Sequence, residues 1–358
     1  MSLLDRLKKN SKVKLSDALG KVKFVDRSEA VTHALPLNIA LEGSFEGGIR
    51  PGVIQFAGPS RHFKSNIALI ACRAWMDKYP DAVLLFYDSE GGSKMEMFNN
   101  AGIDTDRVLH TPIRNVEQLK FDMFTQLEAL SPNENIIIMI DSIGNLASKR
   151  EVDNAENENS AADMTRAKEL KSLWRIVTPY FQEKGVPCIV INHTYETMEM
   201  FSKTVVSGGQ GSILASDDIF VIGRQVDKDT KSKDLKGFKF ILTIFKSRTV
   251  REGRKIPLVV SFENGIETYA SLLDICIEIG IATSVKGPWY TFIDQETGEA
   301  DDKNFMRKDT LHEKFWEKKL ADPKFQRAFE DHYRLDAHSL LHKAEAEAEA
   351  EDEEDDAN

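Results

Sequence analysis

The chain has 358 residues, is 41% hydrophobic and 29% charged, and carries a formal net charge of −11. No apolar run has the length a bilayer span needs, and the start Met1-Ser2-Leu3-Leu4-Asp5-Arg6 turns basic with no apolar stretch behind it, so neither a membrane span nor a secretory leader is expected. Cys72, Cys188 and Cys276 are odd in number, far apart and set in apolar surroundings, which points to buried free thiols and away from a disulfide framework or zinc site.

Residues 1–35 form a basic, polar segment with Arg6, Lys8, Lys9, Lys12, Lys14, Lys21, Lys23 and Arg27. Leu3, Leu4 and Leu7 have the spacing of a short amphipathic helix, and Ser16-Asp17-Ala18-Leu19-Gly20 reads as a helix ending on glycine. Composition leaves two readings open, a flexible leader and an arm that docks on a neighbouring subunit.

From residue 36 short apolar runs alternate with helical stretches. Strands are expected at 53–57, 82–87, 136–140, 188–191, 219–222 and 240–245, and helices at 65–78, 116–130 and 162–183. Continuous apolar strands suit a sheet buried on both faces, and the alternation implies right-handed crossovers. The expectation is an α/β core over 36–270, with a doubly wound, mostly parallel sheet. In such sheets ligands bind beyond the carboxyl ends of the strands. Polar residues follow the runs there in turn: Lys64 and Ser65, Asp88 and Glu90, Asp141 and Ser142, Asn192 and His193, Lys246 and Arg248.

Gly58-Pro59-Ser60-Arg61-His62-Phe63-Lys64-Ser65 lies between an expected strand and an expected helix. It fits the Walker A phosphate-loop pattern at the first glycine, the lysine and the serine. Loop N–H groups and the helix start receive phosphate oxygens, Lys64 reaches the β and γ phosphates, and Ser65 holds Mg²⁺. Phe63 departs from the pattern, which has its second glycine there. An ordinary strand-to-helix loop is the alternative. The apolar run ending in Asp141 is the Walker B arrangement, with Asp141 on the metal. Glu90 is either a base for an attacking water or a turn acid beside Gly91 and Gly92.

Two loops follow, at 151–164 and 194–213. The second carries Met198, Met200, Phe201, Lys203, Val205 and Val206 with Gly208, Gly209 and Gly211. Apolar residues on a glycine-rich loop can wedge between bases while its N–H groups hold phosphates; a plain surface loop is the bland reading. The helix between them carries Arg166, Lys168, Lys171 and Arg175, the last three on one face. That face is either simply solvated or a phosphate-tracking stripe. A smaller unit with Trp289, Tyr290 and Trp316 is expected over 271–342. The end, 343–358, alternates Ala and Glu and closes on an acid block, so disorder is expected. Nine of the chain's acids fall there, which leaves the rest near neutral and leaves nucleic acid open as a partner.

The stretches 56–60, 63–66, 85–90, 141–149, 163–168, 191–197, 200–204 and 246–249 resemble bacterial RecA and, more closely, the strand-exchange recombinases of T4-like phages, the UvsX type. The phage branch also has Phe in the Walker loop, which makes Phe63 a lineage feature. The resemblance implies MgATP held by residues 58–66 (Asn66 included) and Asp141, with Ser65 and Asp141 on the metal and Glu90 orienting the water. His193 stands where RecA has a glutamine that senses the γ-phosphate. Lys246 and Arg248 match cations that reach ATP across the subunit interface. It also implies a helical homo-oligomer on single-stranded DNA, homologous duplex DNA as second substrate, accessory single-stranded-DNA-binding and loader proteins, no membrane partner, and the cytoplasm of an infected bacterium. The acidic tail is expected to compete with DNA for basic surfaces. A hexameric helicase of the same fold and a non-catalytic DNA scaffold are the rival readings.

Overall fold

Six-residue apolar runs become strands because their alternate side chains can be buried on two faces at once. The computed structural model describes residues 2–12, 29–131, 134–157, 165–197, 204–228, 234–295 and 297–335. Residues 13–28 of the basic arm, the end of the first loop, Met198, Met200, Phe201 and Lys203 of the second, and the acidic tail lie outside the described residues.

In chain order the elements are α1 (Leu3–Asn10), β1 (Ala30–Val31), α2 (Leu35–Glu42), β2 (Gly48–Ile49), β3 (Gly52–Ala57), α3 (Lys64–Lys78), β4 (Val83–Asp88), α4 (Met95–Asn100), β5 (Val108–Pro112), α5 (Val116–Ala129), β6 (Ile136–Asp141) and α6 (Lys149–Glu156). Then come α7 (Thr165–Lys184), β7 (Pro187–Asn192), β8 (Thr194–Glu196), β9 (Thr204–Val206), α8 (Gly209–Ala215), β10 (Asp218–Lys228), β11 (Leu235–Lys246), β12 (Lys255–Ser261) and β13 (Gly265–Ile266). The last are α9 (Leu272–Glu278), β14 (Ala282–Ser284), β15 (Trp289–Phe292), β16 (Phe305–Met306), α10 (Glu313–Leu320) and α11 (Pro323–Tyr333).

Nine strands form one sheet in the order β13-β12-β11-β10-β3-β7-β6-β4-β5. From β10 to β5 neighbouring strands run parallel, and β11, β12 and β13 add an antiparallel flank. Alternation splits each central strand. Ile54, Phe56, Ile137, Met139, Ile189 and Ile191 join α2 and α3 in one cluster. Val53, Ile138, Ile140, Cys188 and Val190 join Leu119 and Met123 of α5 and Trp174 and Phe181 of α7 in the other. This is the doubly wound α/β fold. Cys72, Cys188 and Cys276 are buried and unpaired.

Strand register sets up the site. Asp88 pairs with Asp141 at the ends of β4 and β6, and Ala57 pairs with Asn192 at the ends of β3 and β7. The residues just beyond therefore meet at one edge. The C-terminal elements carry Phe292, Phe305, Trp316, Phe325 and Phe329, which are continuous with the cluster under α2. Phe45 and Phe329 touch at 4.4 Å between ring centroids, and Arg334 Nε donates to Glu42 O at 2.9 Å.

Candidate functional site

β3 delivers the chain into the loop Gly58–Phe63 and α3 carries it away. Only glycine fits at 58, since a Cβ there would stand 2.9 Å from Ile222 O of β10. Pro59, Ser60 and Arg61 are exposed, and His62, Phe63 and Asn66 are half-buried. Arg61 and Phe63 both adopt φ of 62°, the left-handed region. The Phe63 ring stacks on Phe240 of β11, at 5.0 Å and 14°. The bulk at the second Walker position is thus turned onto the sheet.

Lys64, 6% exposed, donates from Nζ to Gly58 O at 2.9 Å and Pro59 O at 2.8 Å. Burial holds its pKa below the ordinary lysine value, against the pull of Asp141 and Glu90. Ser65 Oγ donates to Asp141 Oδ2 at 2.7 Å. Burial raises the Asp141 carboxyl above its ordinary value, opposed by the Ser65 hydroxyl. Lys64, Ser65, Glu90, Asp141 and His193 line one cleft of about 320 Å³. A larger cavity of about 560 Å³ beside Arg251 and the C-terminal elements is also lined by charged groups but touches neither the loop 58–63 nor the ends of β4 and β6, so size does not mark the site.

Glu90 sits on a turn pinned by Asp88, whose Oδ1 accepts from the N–H groups of Glu90 (3.1 Å) and Gly91 (2.7 Å). Glu90 Oε1 accepts from Ser142 Oγ at 2.7 Å, Asn145 Nδ2 at 3.0 Å and His193 Nε2 at 3.1 Å. A carboxylate only accepts, so this last bond requires the proton on Nε2 of His193. Burial pushes the Glu90 carboxyl up, but the Ser142 and His193 bonds outweigh it and hold it below its ordinary value. Glycine at 144 keeps this corner tight, since a Cβ would lie 2.9 Å from Asn192 Oδ1. Sequence reading missed Asn145. Its only signal was its place four residues past Asp141.

His193 also opens the second loop. Thr194 pairs with Val206 and Glu196 with Thr204 in a β8–β9 hairpin, and Ser207 N donates to His193 O at 2.9 Å. Part of the expected loop is therefore ordered strand. The three glycines expected to contact DNA lie at the start of the next helix. Gly208 (φ 87°) is the N-cap of α8 and Gly209 (φ 70°) its first residue. At Gly211 a Cβ would stand 3.1 Å from Lys171 Cα, so this glycine lets α8 lie against α7. The first loop begins as helix α6, capped by Ser148 and Glu151, because a capping box starts it.

Lys168, Lys171 and Arg175 share the exposed face of α7, opposite Leu170, Trp174 and Val177. Arg166 does not join them. Its Nε donates to Leu146 O and its Nη2 to Gly144 O, each at 2.6 Å, which clamps the turn after β6. Lys246 and Arg248 stand apart from the cleft. Lys246 Nζ donates to Ile213 O at 2.9 Å and Ser216 O at 2.6 Å, capping α8, and Arg248 Nε lies 2.7 Å from Asp217 Oδ1.

The comparisons with known proteins agree with this geometry. A family model described as the C-terminal domain of the bacteriophage T4 recombination and repair protein matches residues 269–329. The recombination and repair protein of Enterobacteria phage T4 is 46% identical over 340 residues, 94% of this chain and 86% of that one. The chain belongs to the UvsX-type branch of the RecA family. Protein RecA of Acidothermus cellulolyticus is 23% identical over 85% of this chain and 89% of its own. Protein RecA of Bacteroides thetaiotaomicron is 26% identical over 78% and 82%. The family is a recombination and repair family, and the α/β sheet with its smaller C-terminal unit is the RecA-type architecture. No helix among the described residues is long and apolar enough to cross a membrane.

Proposed function

We propose that this chain is a DNA-dependent ATPase that forms a helical filament on single-stranded DNA and exchanges it with a homologous duplex. The observation that carries this reading is the bonded path from the cleft to the loop. Glu90 Oε1 accepts from His193, the next residue begins the β8–β9 hairpin, and the hairpin leads into α8, which lies against α7 at Lys171.

The cleft fits MgATP. Lys64 turns its ammonium onto two loop carbonyls, and phosphate oxygens are stronger acceptors for the same donors. Ser65 and Asp141 offer a hydroxyl and a carboxylate side by side, the oxygen donors that Mg²⁺ prefers. Bound MgATP supplies the phosphoanhydride bond to be broken and the metal charge that offsets its phosphates. Gly58 and Pro59 turn the chain, Ser60 to Phe63 offer their backbone N–H groups to the phosphates, and Lys64 and Asn66 flank them. Glu90, ionised and fixed by three donors, orients the attacking water and receives its proton. His193 transmits the state of the site to the hairpin through that shared bond. The exposed Lys168, Lys171 and Arg175 track DNA phosphates, and loop residues Met200, Phe201 and Lys203 contact the strand. Lys246 and Arg248 serve the neighbouring subunit's nucleotide, in the manner of an arginine finger. Arg166 acts at one remove, holding the turn that carries Asn145.

The boundaries go with this reading: an arm over 1–35, an ATPase core over 36–270, a C-terminal domain over 271–342 and an acidic tail over 343–358. The setting is the cytoplasm of an infected bacterium, with loader and single-stranded-DNA-binding proteins as accessory partners. The test is ATP hydrolysis with and without single-stranded DNA. Stimulation by DNA, abolished in Lys64→Ala, is the expected result. Hydrolysis indifferent to DNA overturns the reading.

A further inference from the structure

We propose that Phe240, a residue outside the cleft, is a positioning residue for the phosphate loop, and that it sets nucleotide affinity by holding Phe63 in its left-handed conformation. The inference rests on the functional reading above and extends it to the antiparallel flank of the sheet.

Among the described residues, Arg61 and Phe63 are the two non-glycine residues with positive φ, and both lie in this loop. A Cβ in that region crowds the neighbouring backbone, so each residue must be held there by something else. Both holds come from one side. The Phe63 ring lies nearly parallel to Phe240, at 5.0 Å and 14°. Phe240 continues into Phe238 at 6.0 Å, and Phe262 meets Phe238 edge-on at 5.7 Å. The guanidinium of Arg224 covers Phe238 at 4.9 Å, and its Nη1 donates to Arg61 O at 3.2 Å. The loop is therefore braced from β10 and β11 by an aromatic row and one cation.

The alternative is that Phe63 merely fills the core. It is only half-buried and lines both the phosphate cleft and the groove beside it, which a core filler does not do. A glycine at 63 would take the same φ without a brace, because it has no Cβ. That difference separates the two explanations. The brace matters only while residue 63 has a side chain. General packing by Phe240 matters whatever residue 63 is.

The experiment is a double-mutant cycle over Phe240→Ala and Phe63→Gly, read as KM for ATP and kcat in DNA-stimulated hydrolysis. Melting temperature is followed in parallel. Phe240→Ala is expected to raise KM about fivefold, from the worth of one stacked aromatic pair, with the effect falling on KM and not on kcat. In the Phe63→Gly background the same substitution is expected to change KM by less than about twofold, although melting temperature still falls. A KM that does not move, or a penalty equal in both backgrounds, overturns the proposal. If Phe240→Ala fails to fold, Phe240→Leu keeps most of the volume without the ring face and must show the same background dependence at smaller amplitude. If the wild-type protein lacks DNA-stimulated hydrolysis, the functional reading fails on its own. The cycle is then run on the Kd for MgADP, where the same two patterns decide.

Discussion

Glu90 shows how one carboxyl is tuned by opposing effects. Burial favours its neutral form, and the donors Ser142, His193 and Asn145 favour its ionised form. The donors win, so the group stays ionised below the ordinary carboxylate range and the base is lost only as pH falls through that lowered value. Removing one donor must move the balance back. In His193→Ala the Glu90 carboxyl loses a hydrogen bond and a nearby potential cation while its burial stays. The acid limb of kcat/KM for ATP is therefore expected to shift to higher pH, and a limb that stays in place means that His193 does not tune Glu90. Residues of this kind were legible in the sequence because the chemistry sits at fixed offsets past apolar strands, as Lys64, Ser65, Asp141 and His193 do. Their partners were not. Arg166 reads as one more cation for DNA until Gly144 O and Leu146 O are seen within its reach, and nothing in the sequence shows that Lys246, expected to serve a neighbour's nucleotide, also has α8 ending beneath it.

At the scale of elements, the contact between α7 and α8 decides how the second loop is presented. Gly211 faces Lys171 Cα at a distance where a Cβ has almost no room, and backbone cannot give way as a flexible side chain can. Gly211→Val is expected to push α8 off α7 at a cost of about 1–3 kcal/mol. A fall of several degrees in melting temperature follows, and an unchanged value would show that the helices do not depend on this approach. Lys171 itself points outward, so Lys171→Ala separates stability from binding. Melting is expected to stay put while affinity for single-stranded DNA drops alike for all sequences, and the slope of log K against log salt becomes shallower by roughly 0.7. An unchanged slope removes Lys171 from the phosphate contacts. The central strands were readable because burial on both faces demands unbroken apolar runs. β5 was not: its residues Val108–Pro112 form a half-exposed edge with no such run. The β8–β9 hairpin was hidden too, since three-residue strands depend on pairing across the loop and leave no periodic signal. The glycines of that loop gave no hint of a helix start, because a glycine that permits a helix cap or a close approach has the same letter as one in a plain surface loop.

For the whole molecule, the question is why two cations of the proposed ATPase stand away from its cleft. Within one subunit Lys246 caps α8 and Arg248 pairs with Asp217, so neither faces the phosphate loop of its own chain. A head-to-tail contact places one surface of a subunit against a different surface of the next, and repetition gives an open helix. In the proposed filament each nucleotide site is composite, with the loop from one subunit and Arg248 from its neighbour. That arrangement makes a prediction about mixtures that no single subunit can satisfy. Lys64→Ala destroys the loop half of its own site but leaves a sound Arg248. Arg248→Ala does the reverse. Each variant alone is expected to be inactive. When the two are mixed in equal amounts and assembled on single-stranded DNA, random order places an intact loop against an intact arginine at about one interface in four, so up to roughly a quarter of wild-type hydrolysis should return. A site built within one chain cannot recover in this way, and a mixture as inactive as its parts would return Arg248 to the surface ion pair it makes with Asp217.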